Sequence, residues 1–164
     1  MKVNTKKIEG KTNFVTDLSN LLAPGKSNEI IHLSDEYNKL IRDTANELMV
    51  YGRDKKVWHL HKVGESIHNF EHKCFERNIE LKSLRKNIAE DLNVSQSRLD
   101  YFIRFFDIFN TSSLNDAFSW GVYRELLDIK NEKLRNDVTE KLKSGILKTT
   151  DDIRKFKKNN QNRK

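Results

Sequence analysis

Apolar residues recur at three- and four-residue spacing along most of this chain, with charged residues between them. That is the period of an amphipathic helix, and no alternating stretch of the kind a strand needs competes with it. The pattern therefore predicts an all-α fold. In TNFVTDLSNLLAPG it predicts a short helix ended by Pro24 and Gly25. SDEYNKLIRDTANELMVYG reads as a second helix, with Ser34 as N-cap, acidic residues in its first turn and Gly52 as its stop. A long helix is expected from about Lys55 to Arg77, where Leu60, Val63, Ile67, Phe70 and Cys74 form one continuous stripe. Asn78 suits its end.

LKSLRKNIAEDL follows as a shorter helix with Leu81, Leu84, Ile88 and Leu92 inward. Then NVSQSRLDYFIRFF offers a turn residue that tolerates left-handed backbone (Asn93), a core plug (Val94), an N-cap (Ser95) and a new helix. Helix-turn-helix units are built this way, and Ala89 lets the two helices approach closely. On the second helix Leu99, Phe102, Ile103 and Phe106 share the inward face, while Tyr101 and Phe105 are expected near the surface. Further on, Ser119 starts SWGVYRELLDI, Asn131 starts a helix that Gly145 ends, and Thr150 caps DDIRKFKK. The expected organisation is a loosely packed segment over 1–33 and a single helical domain over 34–157. That domain holds the helix-turn-helix at about 81–109, and a disordered basic tail follows over 158–164.

Charge sharpens this picture. The net charge is +7, but residues 34–147 hold 19 basic and 19 acidic side chains, so the excess lies at the two ends. Residues 148–164 alone carry seven basic and two acidic side chains. Such a tail can contact phosphates without any fold of its own. Ser95, Gln96, Ser97, Arg98, Tyr101 and Arg104 would meet duplex DNA from the exposed leading edge of the second helix. Gln and Arg can bond base edges bidentately, and Ser and Tyr can reach phosphates or bases. From the tail, Arg154, Lys155, Lys157 and Lys158 would grip the backbone. Against this stands local neutrality: residues 79–109 carry five basic and five acidic side chains, and Asp100 lies near the exposed face. The competing reading is a helical assembly module with no DNA role.

At this point the segments resemble the N-terminal helical domain of YhcG-type proteins, which precedes a PD-(D/E)XK nuclease domain. The matching pieces are VWHLHKVGESI, SQSRLDYFIRFFDIF and FSWGVYRELLDIKNEKLRND, with Ser119-Trp120 followed by Tyr123, Leu126 and Leu127 the most specific. TTDDIRKFKK stands where that family has its closing helix. A more distant similarity links IAEDLNVSQSRL and RELLDI to the helix-turn-helix region of ParB-like proteins. Both resemblances imply a DNA-binding helical module. The chain offers no room after Lys164 for the nuclease domain, and no Asp…Glu-x-Lys cluster on strands replaces it. No enzymatic activity is therefore expected, and Trp120 and Tyr123 are read as packing residues.

Metal chemistry has one candidate. His61, Glu65, His68 and His72 lie at offsets of four, three and four on the long helix, a spacing that can supply ligands to zinc. Wheel arithmetic turns this stripe about 150° from the apolar one, toward solvent or a partner. His59 falls nearer the core. A single cysteine excludes a disulfide framework or a Cys-based zinc site. Gly25-Lys26-Ser27 lacks the upstream glycine of a phosphate loop, so no cofactor is expected. Neither a secretory leader nor a membrane span is read, which implies a cytoplasmic protein. Paired half-sites on DNA would imply a homodimer.

Overall fold

The structure, a computed structural model, describes residues 27–79 and 83–161. Every regular element among them is helical, as the three-and-four spacing requires. In chain order these are α1 (Ser27–Asp54), α2 (Trp58–Glu76), α3 (Leu84–Asp91), α4 (Gln96–Ile108), a 3-10 turn (Thr111–Ser113), α5 (Trp120–Leu127), α6 (Glu132–Lys143) and α7 (Thr150–Gln161). Where a single domain was expected over 34–157, the chain divides into two compact units at Ser112 and Ser113. The expected helix around TNFVTDLSNLLAPG and the inward role of Leu81 fall outside the described residues.

The first unit is built around α2. Leu60, Val63 and Ile67 are fully buried and Phe70 and Cys74 nearly so, as the stripe requires. Burial pushes the Cys74 thiol up to about 11, the behaviour of a small core residue rather than a reactive one. α1 packs along α2 as the other arm of a hairpin. It begins earlier than expected: residues 27–33 are already helical, and Leu33 is fully buried. Ser34 is accordingly no cap; it sits inside the helix, buried. Gly52 does not stop α1 either. The helix ends at Asp54, where Lys55 takes a left-handed φ of 60° and its N–H donates to the Tyr51 carbonyl at 3.0 Å.

The two asparagine turns form as their chemistry dictates. Asn78 and Asn93 each take φ of 53°. Behind Asn78, the Ile79 N–H reaches the Cys74 carbonyl at 2.8 Å and the Asn78 N–H reaches that of Phe75 at 3.0 Å. Behind Asn93, Val94 reaches Ala89 at 2.9 Å and Asn93 reaches Glu90 at 3.1 Å. These are paired Schellman bonds, which satisfy the last carbonyls of α2 and α3 and turn the chain sharply. The Ser95 Oγ then accepts from the Arg98 N–H at 3.3 Å and opens α4.

In the second unit α5 packs against α6 and α7. Ser119 and Asn131 cap α5 and α6 as expected, through bonds to Val122 N at 3.4 Å and Leu134 N at 2.9 Å. Gly145, at φ 74°, follows α6 as its left-handed exit. Thr150 does not cap α7. That role belongs to Thr149, whose Oγ1 accepts from Asp152 N at 3.1 Å while the Asp152 carboxylate accepts from Thr149 N at 2.9 Å. The reciprocal pair is a capping box with Asp in the place of Glu. α7 runs on to Gln161, so residues 158–161 are helical rather than part of a disordered tail. Tyr123 is buried and its phenol oxygen accepts from Asn115 N at 2.7 Å, while Trp120 stays half-exposed.

Candidate functional site: the leading edge of α4

α3, the Asn93 turn and α4 give the helix-turn-helix order of elements, with α4 as its second helix. Its placement begins with Gly64. A Cβ at that position would lie 2.0 Å from the Phe102 carbonyl oxygen and 3.0 Å from the Phe106 Cβ. The backbones of α2 and α4 therefore cross in direct contact. α3 is held from the other side, where the Tyr37 hydroxyl donates to Asp91 at 2.7 Å. Burial, reinforced by that carboxylate, pushes the Tyr37 phenol well above its ordinary range.

This crossing decides which face of α4 is inward. Leu99, Phe102 and Ile103 are buried as expected. Phe105 was expected at the surface and is fully buried, whereas Phe106, expected inward, is half-buried. Phe105 turns into a cluster with His61 and Phe109, their ring centroids 5.5 and 5.7 Å away. The same contact overturns the outward placement of the histidine stripe. His61 is buried, with Nε2 2.7 Å from the Phe109 carbonyl, to which it donates, so that nitrogen offers no lone pair to a metal. His68 faces Asp107 at 3.0 Å and stacks at a tilt on Phe106. His72 meets Glu76 at 3.4 Å, and Glu65 is half-exposed. Positions 61, 64 and 68 thus form the α4 contact face of α2, and among the described residues no group of three or more His, Cys, Asp or Glu side chains is placed to hold a metal ion. His59, expected at the edge of the core, is buried. Its Nδ1 meets Glu47, its Nε2 is 3.0 Å from Asp54, and its ring stacks on Trp58.

On the outer side of α4, Gln96, Ser97 and Arg104 are exposed, and Arg98 and Tyr101 are half-exposed. Ser95 is exposed too, although its hydroxyl is used as the cap. The Arg104 guanidinium lies 5.4 Å from the Tyr101 ring, and that of Arg98 lies 5.5 Å from Phe102. A guanidinium held this near an aromatic ring is attracted by the ring's quadrupole. Burial raises the Tyr51 phenol, while the Arg98 charge pulls it down. Asp100, the residue that counted against DNA, is 3.3 Å from the Arg85 guanidinium. Arg85 in turn holds Glu71 in a bidentate pair at 2.6 and 2.8 Å. Its bond to Glu71 raises the Arg85 pKa further, so the cation is permanent.

The basic residues of α7 divide into two groups. Arg154 bonds Glu125 on α5 at 2.8 Å and Asp151 at 3.0 Å, and Lys157 meets the other Glu125 oxygen at 3.2 Å. These two cations tie α7 to α5. Lys155 and Lys158 are exposed. Nothing in the local sequence announces the Glu125 pairing, because its partners lie about thirty residues away. Compared with protein-family models, curated proteins and solved structures, the chain gives no match. No helix among the described residues is long and apolar enough to cross a membrane.

Proposed function

We propose that the protein is a non-catalytic, helix-turn-helix DNA-binding module that places the N-terminal half of α4 in the major groove of a duplex. The supporting observation is the outer edge of α4. Gln96, Ser97, Arg98 and Arg104 face outward there, and Arg85 takes up the Asp100 charge that would repel phosphates. Gln96 and Arg98 are the base-edge readers, and Ser97, Tyr101 and Arg104 contact the backbone. Lys155 and Lys158 add phosphate contacts; Arg154 and Lys157 are engaged inside their own unit. The resemblance to the YhcG-type N-terminal domain and to ParB-like helix-turn-helix regions supports the same reading. A homodimer would place two α4 edges one DNA turn apart, about 34 Å.

The test is fluorescence anisotropy of a labelled ~30-base-pair duplex at about 50 mM salt and above. Wild type is expected to bind more weakly as salt rises. The Arg98→Ala/Arg104→Ala variant should lose about tenfold or more in affinity. Absence of wild-type binding at low salt ends the proposal.

A second reading, protein–protein assembly, draws on Phe75. This side chain on α2 is 80% exposed and stands at the rim of a cleft of about 720 Å³ with Cys74, Ile79 and Leu84. An exposed apolar side chain beside a cleft with further apolar lining is a surface that a partner chain can cover. Sedimentation of wild type against Phe75→Ser, without DNA, separates the two readings.

A further inference from the structure

On α2 the apolar stripe passes through Phe70 and Cys74, and Phe75 stands one position past it, about 100° around the helix. The stripe buries its own members and leaves Phe75 among polar neighbours, with Glu76 next to it. Its ring is 80% exposed. Glu76 is exposed as well, its carboxylate 3.4 Å from His72 of the same helix.

The cleft at whose rim Phe75 stands has the complementary character. Cys74, Ile79 and Leu84 are buried and give it an apolar floor. Arg85 and Lys86 belong to its wall. The Arg85 guanidinium is held by Glu71 and Asp100, whereas Lys86 is exposed. Apolar lining beside an exposed ammonium fits an apolar side chain followed by a carboxylate. At about 720 Å³ the cleft falls within the roughly 300–1,000 Å³ of sites that take a drug-sized ligand, so one aromatic side chain enters with room to spare. Phe75-Glu76 is such a pair, and it lies beside the cleft it fits. A knob and a hole side by side on one surface are self-complementary, because a two-fold rotation seats each knob in the other hole.

We propose that a second copy of this chain docks here, each Phe75 entering the cleft of the other copy and each Glu76 meeting the partner's Lys86. This rests on the assembly reading of Phe75 and needs no DNA. Gln96 lines the same cleft, so the docked copy shields it, and dimerisation competes with a base contact by that residue. The cleft is lined by ten residues, against roughly 20–30 a side in a standard interface, so the dimer is a weak one of about micromolar affinity.

The experiment is sedimentation velocity of the full chain without DNA, over about 1–200 μM. Wild type is expected to pass from monomer to dimer across this range. Phe75→Ser should weaken the dimer by about a hundredfold, tenfold for each symmetric contact, and leave the thermal melt unchanged because the ring is exposed. Glu76→Lys and Lys86→Glu each set like charges together twice in a homodimer, so each alone should weaken it by about tenfold or more. Mixed in equal amounts, these two variants restore both opposite-charge contacts and should form a heterodimer, which pairing within one chain could not produce. A wild type that stays monomeric overturns the second copy as occupant and leaves the cleft to a foreign chain. Loss of the dimer in Phe75→Ser, with no effect of the charge variants or their mixture, overturns the reciprocal docking and leaves the assembly reading standing. A wild-type dimer indifferent to Phe75→Ser overturns both.

Discussion

Replacing Gly64 by alanine tests the contact that orients α4. By helix propensity alone the change would stabilise α2, by about 1 kcal/mol. The structure reverses the sign. The added Cβ would lie 2.0 Å from the Phe102 carbonyl oxygen and 2.7 Å from its carbonyl carbon. Carbon contacts relax only near about 3.5 Å, so the two helices must separate by more than ~1 Å. Both close atoms belong to backbone, so no side-chain rotation relieves the overlap. Overpacking of this kind costs about 1–3 kcal/mol, and the separation also loosens the packing around Phe102, Leu60 and Ile67. The expected net loss is about 2 kcal/mol, or a fall in Tm on the order of 10 °C for a unit of this size. Gly52→Ala is the internal reference, because a Cβ there meets nothing within 4 Å. It should gain about 0.5 kcal/mol near a helix end. Urea titrations followed by circular dichroism measure both. A Gly64→Ala protein as stable as Gly52→Ala would refute the close crossing, and with it the orientation of α4.

Three further outcomes follow from the geometry. His59→Ala leaves Glu47 and Asp54 without their shared partner and should cost about 2 kcal/mol in urea unfolding, less if solvent reaches the two carboxylates; a Glu47→Gln background should shrink the effect. The Asp152 carboxyl is held below its ordinary value, chiefly by the Lys148 N–H and then by Thr149. Its contribution is therefore complete above the unfolded carboxylate range and is lost as pH falls through the lower folded value. Helicity of α7 should drop below about pH 4, and Asp152→Asn should abolish that step in a circular-dichroism titration. Glu125→Gln releases Arg154 and Lys157, so it should lower the melting temperature of the second unit while strengthening duplex binding, if the freed cations then reach phosphates; unchanged melting would show the pairing to be idle.

The helices and most of their ends were legible in the sequence, because these features answer to neighbours within four residues. The α2 stripe, the left-handed asparagines at 78 and 93, and the caps at Ser95, Ser119 and Asn131 all depend on short-range sterics and single hydrogen bonds. Where two local rules competed, the choice failed narrowly. Ser34 looked like a cap, but the apolar period continues ahead of it. Thr150 stood one position past the true cap, whose partner Asp152 completes a box only when counted from Thr149.

Tertiary structure alone decided what lies across each helix. A helical wheel locates the strongest apolar face, yet α2 is covered on two sides, by α1 and by α4. The second cover turned His61 and His68 from an outward stripe into an interface, and it drew Phe105 inward in place of Phe106. Ion pairs between separate helices are equally invisible in the chain: Glu125 takes Arg154 and Lys157, Arg85 takes Asp100, and His59 takes Glu47. Periodicity along a helix is set by its own residues, whereas the burial of a face and the partner of a charge are set by another helix arriving from elsewhere in the sequence.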